Sequence, residues 1–146
     1  MRWTIIATGK PAIGWAQQGI DDYLSRLQKT GSVECLYLRD GTPEEVTKRM
    51  LVASEGSLRV LLDERGKQRR SKELAQWVDA RQLDGCKKVA VLIGGANGHS
   101  PVLKEMIKES WSLSSLTLQH EVALLVLVEQ IYRAYSILRG DPYHRE

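Results

Sequence analysis

The sequence predicts an α/β domain whose mainly parallel sheet is covered by helices on both faces. Short apolar runs rich in β-branched residues alternate with segments of helical periodicity, and glycine-bearing turns join them. No linker, internal repeat or low-complexity segment interrupts the 146 residues, which suit one domain over 1–146 with one core.

Taken in order, Trp3 to Ala7 reads as a buried strand ending at Gly9. Beyond Pro11, residues Ala16, Ile20, Tyr23, Leu24 and Leu27 share one helix face, which Gly31 ends. Val33 to Leu38 is a second strand. Thr42-Pro43-Glu44-Glu45 supplies an N-cap, a proline at the first helical position and a capping-box glutamate. Val46, Met50 and Ala53 line that helix until Gly56. Val60 to Asp63 is a third strand, followed by a basic run that leads to Ser71, the cap of a helix with Leu74, Trp77 and Val78 inward. Val89 to Ile93 is a fourth strand. It stops at Gly94-Gly95, and after Gly98 the pair Ser100-Pro101 opens a helix reaching about residue 110. Leu113 to Leu118 interleaves serine and threonine with leucine and, by itself, reads as an ordinary strand.

A last helix runs from about Glu121 to Leu138. Its stretch 122–128 is apolar all round, so it needs cover on more than one side. A homodimer built on this helix and helix 101–110 supplies that cover more readily than burial inside so short a subunit.

Composition narrows the function. A net charge of +3 permits an RNA partner without requiring one. Cys35 and Cys86 have neither a CxxC spacing nor histidines near them, so they read as reduced core residues of a cytoplasmic protein, with no metal site. The N-terminus enters strand-like sequence directly, and the longest unbroken apolar run, Val122 to Val128, is far too short for a bilayer span. Neither secretion nor membrane insertion is expected.

The stretch 89–103 carries the chemistry. A strand feeding a glycine-rich turn and then a helix presents backbone N–H and C=O groups, and Gly94, Gly95 and Gly98 have no side chain to block a ligand's approach. The G-G-x-x-G spacing is not a dinucleotide fingerprint, so a ligand loop and a plain tight turn stay open together. A nicotinamide dehydrogenase is disfavoured, because Thr8-Gly9-Lys10 stands where its glycines belong. Arg65, Lys67, Arg69 and Arg70 form either a phosphate-gripping loop for RNA or a solvated one. The terminal Tyr143-His144-Arg145, taken alone, is a frayed end.

Several motifs in order and spacing resemble one family. They are Leu61-Leu-Asp-x-x-Gly-Lys67, Ser71-x-Glu73-x-Ala75, Ile93-Gly-Gly-x-x-Gly98, Ser112-Leu-Ser-x-x-Thr-Leu-x-His120, Glu129-x-x-Tyr-Arg-Ala134 and Tyr143-His-Arg-Glu146. Together they resemble the RlmH (YbeA-like) SPOUT methyltransferases over essentially the whole chain. The resemblance implies a homodimer with a C-terminal trefoil knot holding S-adenosylmethionine, against the general rule that chains do not thread loops. It implies methylation of N3 of a pseudouridine in a 23S ribosomal RNA stem-loop at the ribosomal subunit interface. It also implies cofactor contacts at Leu62, Gly94, Leu113, Ser114, Ser115, Leu116, Thr117 and Leu118. Gly95 joins these as the next point of close backbone approach.

Within the resemblance the tail becomes the catalytic element. Tyr143 is suited to stack on a base, Arg145 to pair with phosphate or the uracil-like edge, and His144 to take part in proton transfer. As the end of the chain the tail is expected to be mobile, and in a dimer to reach the partner's pocket. The basic run leans toward RNA, since Gly66-Lys67 belongs to the family pattern. Three departures stand out: Gln119-His120 replaces Pro-His, Leu124 replaces an arginine and His99 an apolar residue. The lost arginine, whose bidentate donors leucine cannot replace, motivates a second reading: an RNA- or ribosome-binding relative without turnover.

Overall fold

Alternation along the strands divides the core in two. In the computed structural model, which describes residues 1–95 and 97–145, the strands are β1 (Arg2–Thr8), β2 (Val33–Leu38), β3 (Leu58–Gln68), β4 (Lys88–Ile93) and β5 (Ser110–Ser112). Ala96 of the glycine turn and Glu146 of the terminal motif lie outside the described residues. The strands form one sheet in the order β2-β1-β4-β3-β5, and every neighbouring pair is parallel.

The helices are α1 (Gly14–Leu27), α2 (Pro43–Ala53), α3 (Ser71–Leu83), α4 (Pro101–Met106) and α5 (His120–Arg139). Trp3, Ile5, Val60, Val89 and Val91 pack with α1, α3 and α5, while Ile6, Leu61, Ala90 and Leu92 pack with α2 and α4. Successive side chains point to opposite faces of a strand, and here both faces are covered, so the central strands read as unbroken apolar runs. The larger core is centred on Trp3, Trp77 and Trp111, with ring centroids 4.8–6.3 Å apart. Trp3 Nε1 donates to the Tyr135 hydroxyl at 2.9 Å, so neither buried polar group is stranded.

Four local expectations are corrected. First, α4 ends at Met106, because Ile107 turns extended (φ −109°, ψ 116°) and buries its side chain on the second face. The chain then pairs with β3 through β5, whose Ser-Trp-Ser has no strand-like apolar run. Second, Leu113 to Leu118 is a loop. Ser112 Oγ donates to the Ser114 carbonyl, and Ser114 Oγ accepts from Leu116 N–H, each at 2.9 Å, so serine side chains replace a ladder.

Third, the basic run is only partly a loop: Arg65 lies in β3, and Arg69 and Arg70 connect β3 to α3. Lys67 and Gln68 belong to β3, which bulges between Leu62 and Lys67 and then pairs again with Trp111 and Ser112. Gly66 makes the bulge possible: a Cβ there would lie 2.6–2.7 Å from atoms of Ser110 and Trp111. Fourth, part of the apolar middle of α5 is covered within one chain. Leu124, Leu127, Val128 and Ile131 are buried against the sheet side of the larger core, with α1 and α3 alongside. Val122, Leu125 and Val126 are only half-buried.

Candidate active site

The carboxyl ends of β3 and β4 open onto a cleft of about 640 Å³, a size usual for small-molecule sites. Three segments wall it. The bulge of β3 contributes Leu62, Asp63, Glu64 and Arg65; the glycine turn contributes Gly94, Gly95, Asn97 and Gly98; and the loop after β5 contributes Leu113, Ser114, Leu116, Thr117 and Leu118. Of the nine residues expected to contact a cofactor, Ser115 alone does not line the cleft; it is exposed. Thr117 Oγ1 donates to Glu64 Oε2 at 3.0 Å and ties the third wall to the first.

The glycine turn is tight for a physical reason. A Cβ on Gly94 would meet the Gly98 backbone at 2.8 Å, and Gly98 adopts φ +72°. Gly95 and Gly98 form an isolated bridge, and Gly98 N–H donates to the Gly95 carbonyl at 2.9 Å. A ligand in the cleft therefore meets bare glycine backbone and leucine side chains alongside polar ones. Asp63, 3.7 Å from Lys104 Nζ, and His120 add charge and a ring at the rim.

His99 was read from sequence only as a departure, yet it lines the cleft. It is 8% exposed, and Nε2 lies 2.9 Å from the Leu92 carbonyl. Burial pushes its pKa below the usual histidine range, against the pull of the Leu92 and Leu62 carbonyls. The other two departures have structural roles. Gln119 Oε1 caps α5 by accepting from Glu121 N–H (2.7 Å) and Val122 N–H (3.1 Å). Leu124 is a core side chain at 2% exposure.

The basic residues separate. Arg65 lines the main cleft, while Lys67, Arg69 and Arg70 line a second cavity of about 280 Å³ beside Ser71, Trp111 and Gln130. Leu113 borders both cavities. Arg69 is largely buried and paired with Glu109 at 3.1 Å, so it is not part of a solvated loop.

Tyr143 and His144 do not line the main cleft of their own chain. Tyr143 packs on its own chain: its hydroxyl donates to Glu129 Oε2 at 2.7 Å and lies 2.9 Å from the Tyr23 hydroxyl. Arg133 Nη1 donates to His144 Nδ1 at 3.2 Å. Arg145 is exposed. Glu129 and Arg133 entered the sequence reading only as letters of a motif. Their i,i+4 spacing was the available sign that they pair, and they do at 2.8 Å.

A family described as predicted SPOUT methyltransferase matches residues 1–144. The chain belongs to it. Among its relatives are proteins named ribosomal RNA large subunit methyltransferase H from Deinococcus radiodurans, 41% identical over 99% of both chains, and from Thermus thermophilus, 38% identical over 99% of both. One from Polynucleobacter asymbioticus is 40% identical over the full length of both. These place the chain in the RlmH type of SPOUT methyltransferase, so it is an enzyme of methyl transfer, and membership carries the C-terminal trefoil knot of the fold. A solved structure of a probable methylase family protein from Haemophilus influenzae shares the fold, with TM-score 0.57 at 14% identity over 99% of this chain and 70% of that one.

Proposed function

We propose that this SPOUT methyltransferase uses S-adenosylmethionine to methylate N3 of a pseudouridine in a 23S ribosomal RNA stem-loop at the subunit interface, on assembled ribosomes in the cytoplasm. The observation that carries the reading is the convergence of residues from three distant segments, 62–65, 94–95 with 97–99, and 113–114 with 116–120, on one cleft at the carboxyl ends of β3 and β4. The cleft suits the cofactor: its volume is adequate, its backbone is bare at Gly94 and Gly95, and Leu62, Leu113, Leu116 and Leu118 offer apolar packing. When bound, S-adenosylmethionine supplies an electrophilic methyl group on a sulfonium sulfur.

The chain's own residues then have three tasks. The leucines and the glycine backbone hold the cofactor. Arg65, Lys67 and exposed Arg70 give sequence-independent attraction for RNA phosphates. Tyr143, His144 and Arg145 handle the base. Because the tail lies away from its own cleft, it serves the partner's cleft in a homodimer. Exposed Val102, Met106 and Leu116, with half-buried Val122, Leu125 and Val126 of α5, are apolar surface available for that contact. Among the described residues no group of His, Cys, Asp and Glu is arranged to hold a metal, and no helix is long and apolar enough to cross a membrane.

The alternative of a non-catalytic RNA- or ribosome-binding relative loses its motive, since Gln119 caps a helix and Leu124 fills a core. Calorimetric titration with S-adenosylmethionine, followed by methyl transfer to ribosomes lacking the modification, tests the reading. Cofactor binding without turnover on such ribosomes returns the alternative.

A further inference from the structure

Glu129 collects three donors. Its Oε2 accepts from the Tyr143 hydroxyl at 2.7 Å and from Arg133 Nη2 at 2.8 Å, and its Oε1 accepts from Gln130 Nε2 at 2.8 Å. Burial acts to raise its pKa, but the hydrogen bonds from Arg133 and Tyr143 outweigh it and hold the carboxylate below its usual range. The Arg133 guanidinium lies 4.7 Å from the Tyr143 ring centroid, and the edge of that ring meets Tyr132 at 4.8 Å. Tyr23 reaches the same hydroxyl from α1.

The contact between Arg133 and His144 has a chemical consequence. A guanidinium only donates, so at 3.2 Å the Nδ1 of His144 is the acceptor. A neutral ring in that position keeps its hydrogen on Nε2. Both side chains of the α5 pair are thus aimed at residues 143 and 144, whereas an ordinary i,i+4 pair would face solvent.

We propose that Glu129 and Arg133 are positioning residues for methyl transfer: Glu129 orients Tyr143, and Arg133 holds His144 as the Nε2–H tautomer. The proposal rests on the reading that the tail acts on the target base.

The test compares Glu129→Gln, Arg133→Met and Arg133→Lys with a chain lacking residues 143–146, all as full dimers with S-adenosylmethionine and ribosomes lacking the modification. We expect kcat to fall about tenfold in Glu129→Gln and Arg133→Met, both still folded at the assay temperature, with KM for ribosomes and cofactor affinity nearly unchanged. Nitrogen-15 spectra should show the Nε2–H tautomer of His144 in the parent and a mixture in Arg133→Met. Arg133→Lys should recover part of both tautomer and turnover.

An unaltered kcat, an unaltered tautomer in Arg133→Met, or a loss matched by lost cofactor affinity or stability overturns the positioning roles. If the point variants turn over normally while the truncated chain is inactive, only this proposal fails. If the truncated chain methylates at the parent rate, the reading of the tail fails as well.

Discussion

Arg69 Nη2 lies 3.1 Å from Glu109 Oε1, and the same carboxylate oxygen accepts from Trp111 Nε1 at 3.0 Å. The guanidinium also sits 5.8 Å from the Trp111 ring centroid. Arg69 therefore braces the join between the bulge of β3 and β5 before it can serve RNA. Arg69→Ala should destabilise the fold by about 1–3 kcal/mol, because it leaves a part-buried carboxylate without its partner. Arg70→Ala should leave stability within about 0.5 kcal/mol but weaken RNA binding and flatten its salt dependence. Urea unfolding and binding at several salt concentrations check both, and equal stability of the two variants would refute the distinction.

Gly66→Ala should be more damaging than its exposure suggests. The new methyl would sit 2.6–2.7 Å from Ser110 and Trp111 atoms, two of them backbone carbons that cannot swing aside. Overpacking of this kind costs about 1–3 kcal/mol, and relief would separate β3 from β5. Since the bulge also holds Asp63 to Arg65 at the cleft, cofactor affinity should fall with stability. A variant of unchanged melting temperature and cofactor affinity would contradict this.

In the glycine turn the two neighbours should differ. Gly94→Ala meets the Gly98 backbone at 2.8 Å and deforms the turn itself. Gly95 has only Thr8 Oγ1 within reach, at 3.2 Å, so Gly95→Val should fold and fail mainly by filling the cofactor's space. Calorimetry on folded Gly95→Val is the discriminating measurement. Parent-like affinity would remove Gly95 from the site.

His99 should make the protein acid-sensitive. Its pKa is lowered in the fold, while the unfolded chain takes the ordinary value of about 6.5. The unfolded state therefore binds the proton first as pH falls. The stability that neutral His99 contributes is complete above that value and is lost progressively as pH drops toward the folded pKa. His99→Phe should flatten the stability profile below about pH 6.5 relative to the parent. An unchanged slope would show that other groups govern the acid limb.

The elements most legible from sequence were those with local chemistry. Thr42-Pro43-Glu44-Glu45 forms the capping box its letters describe, with Thr42 Oγ1 accepting from Glu45 N–H and the Glu45 carboxylate accepting from Thr42 N–H. The central strands were equally plain, since burial on both faces leaves continuous apolar runs. What stayed hidden depends on long-range partners. Arg69 and Glu109 are forty residues apart in sequence, and nothing local announces their pairing. Leu113 to Leu118 alternates like a strand, yet β3 pairs with β5 only as far as Gln68 and Ser112. The apolar stretch of α5 signalled burial but not how the cover is shared, because cover by α1 and α3 leaves the same sequence pattern as cover by a second chain.

The tail's docking on α5 makes the sharing of an active site testable. Tyr143 and His144 are held by Glu129 and Arg133 of their own chain, outside the cleft of that chain. A chain lacking residues 143–146 should keep its fold and cofactor affinity, since the contacts it loses lie on the outer side of α5, but it should not transfer methyl groups. His144→Ala and Arg145→Ala should each lower turnover by about 10²-fold. Mixing the truncated chain with Gly95→Val gives the decisive case. Each homodimer lacks either every tail or every usable cleft. In the heterodimer, the intact tail belongs to the Gly95→Val chain and the intact cleft to the truncated one. If tail and cleft act across the dimer, they meet, and a statistical mixture recovers roughly a quarter of parental activity. If they act within one chain, no heterodimer works, and the mixture stays as inactive as its components.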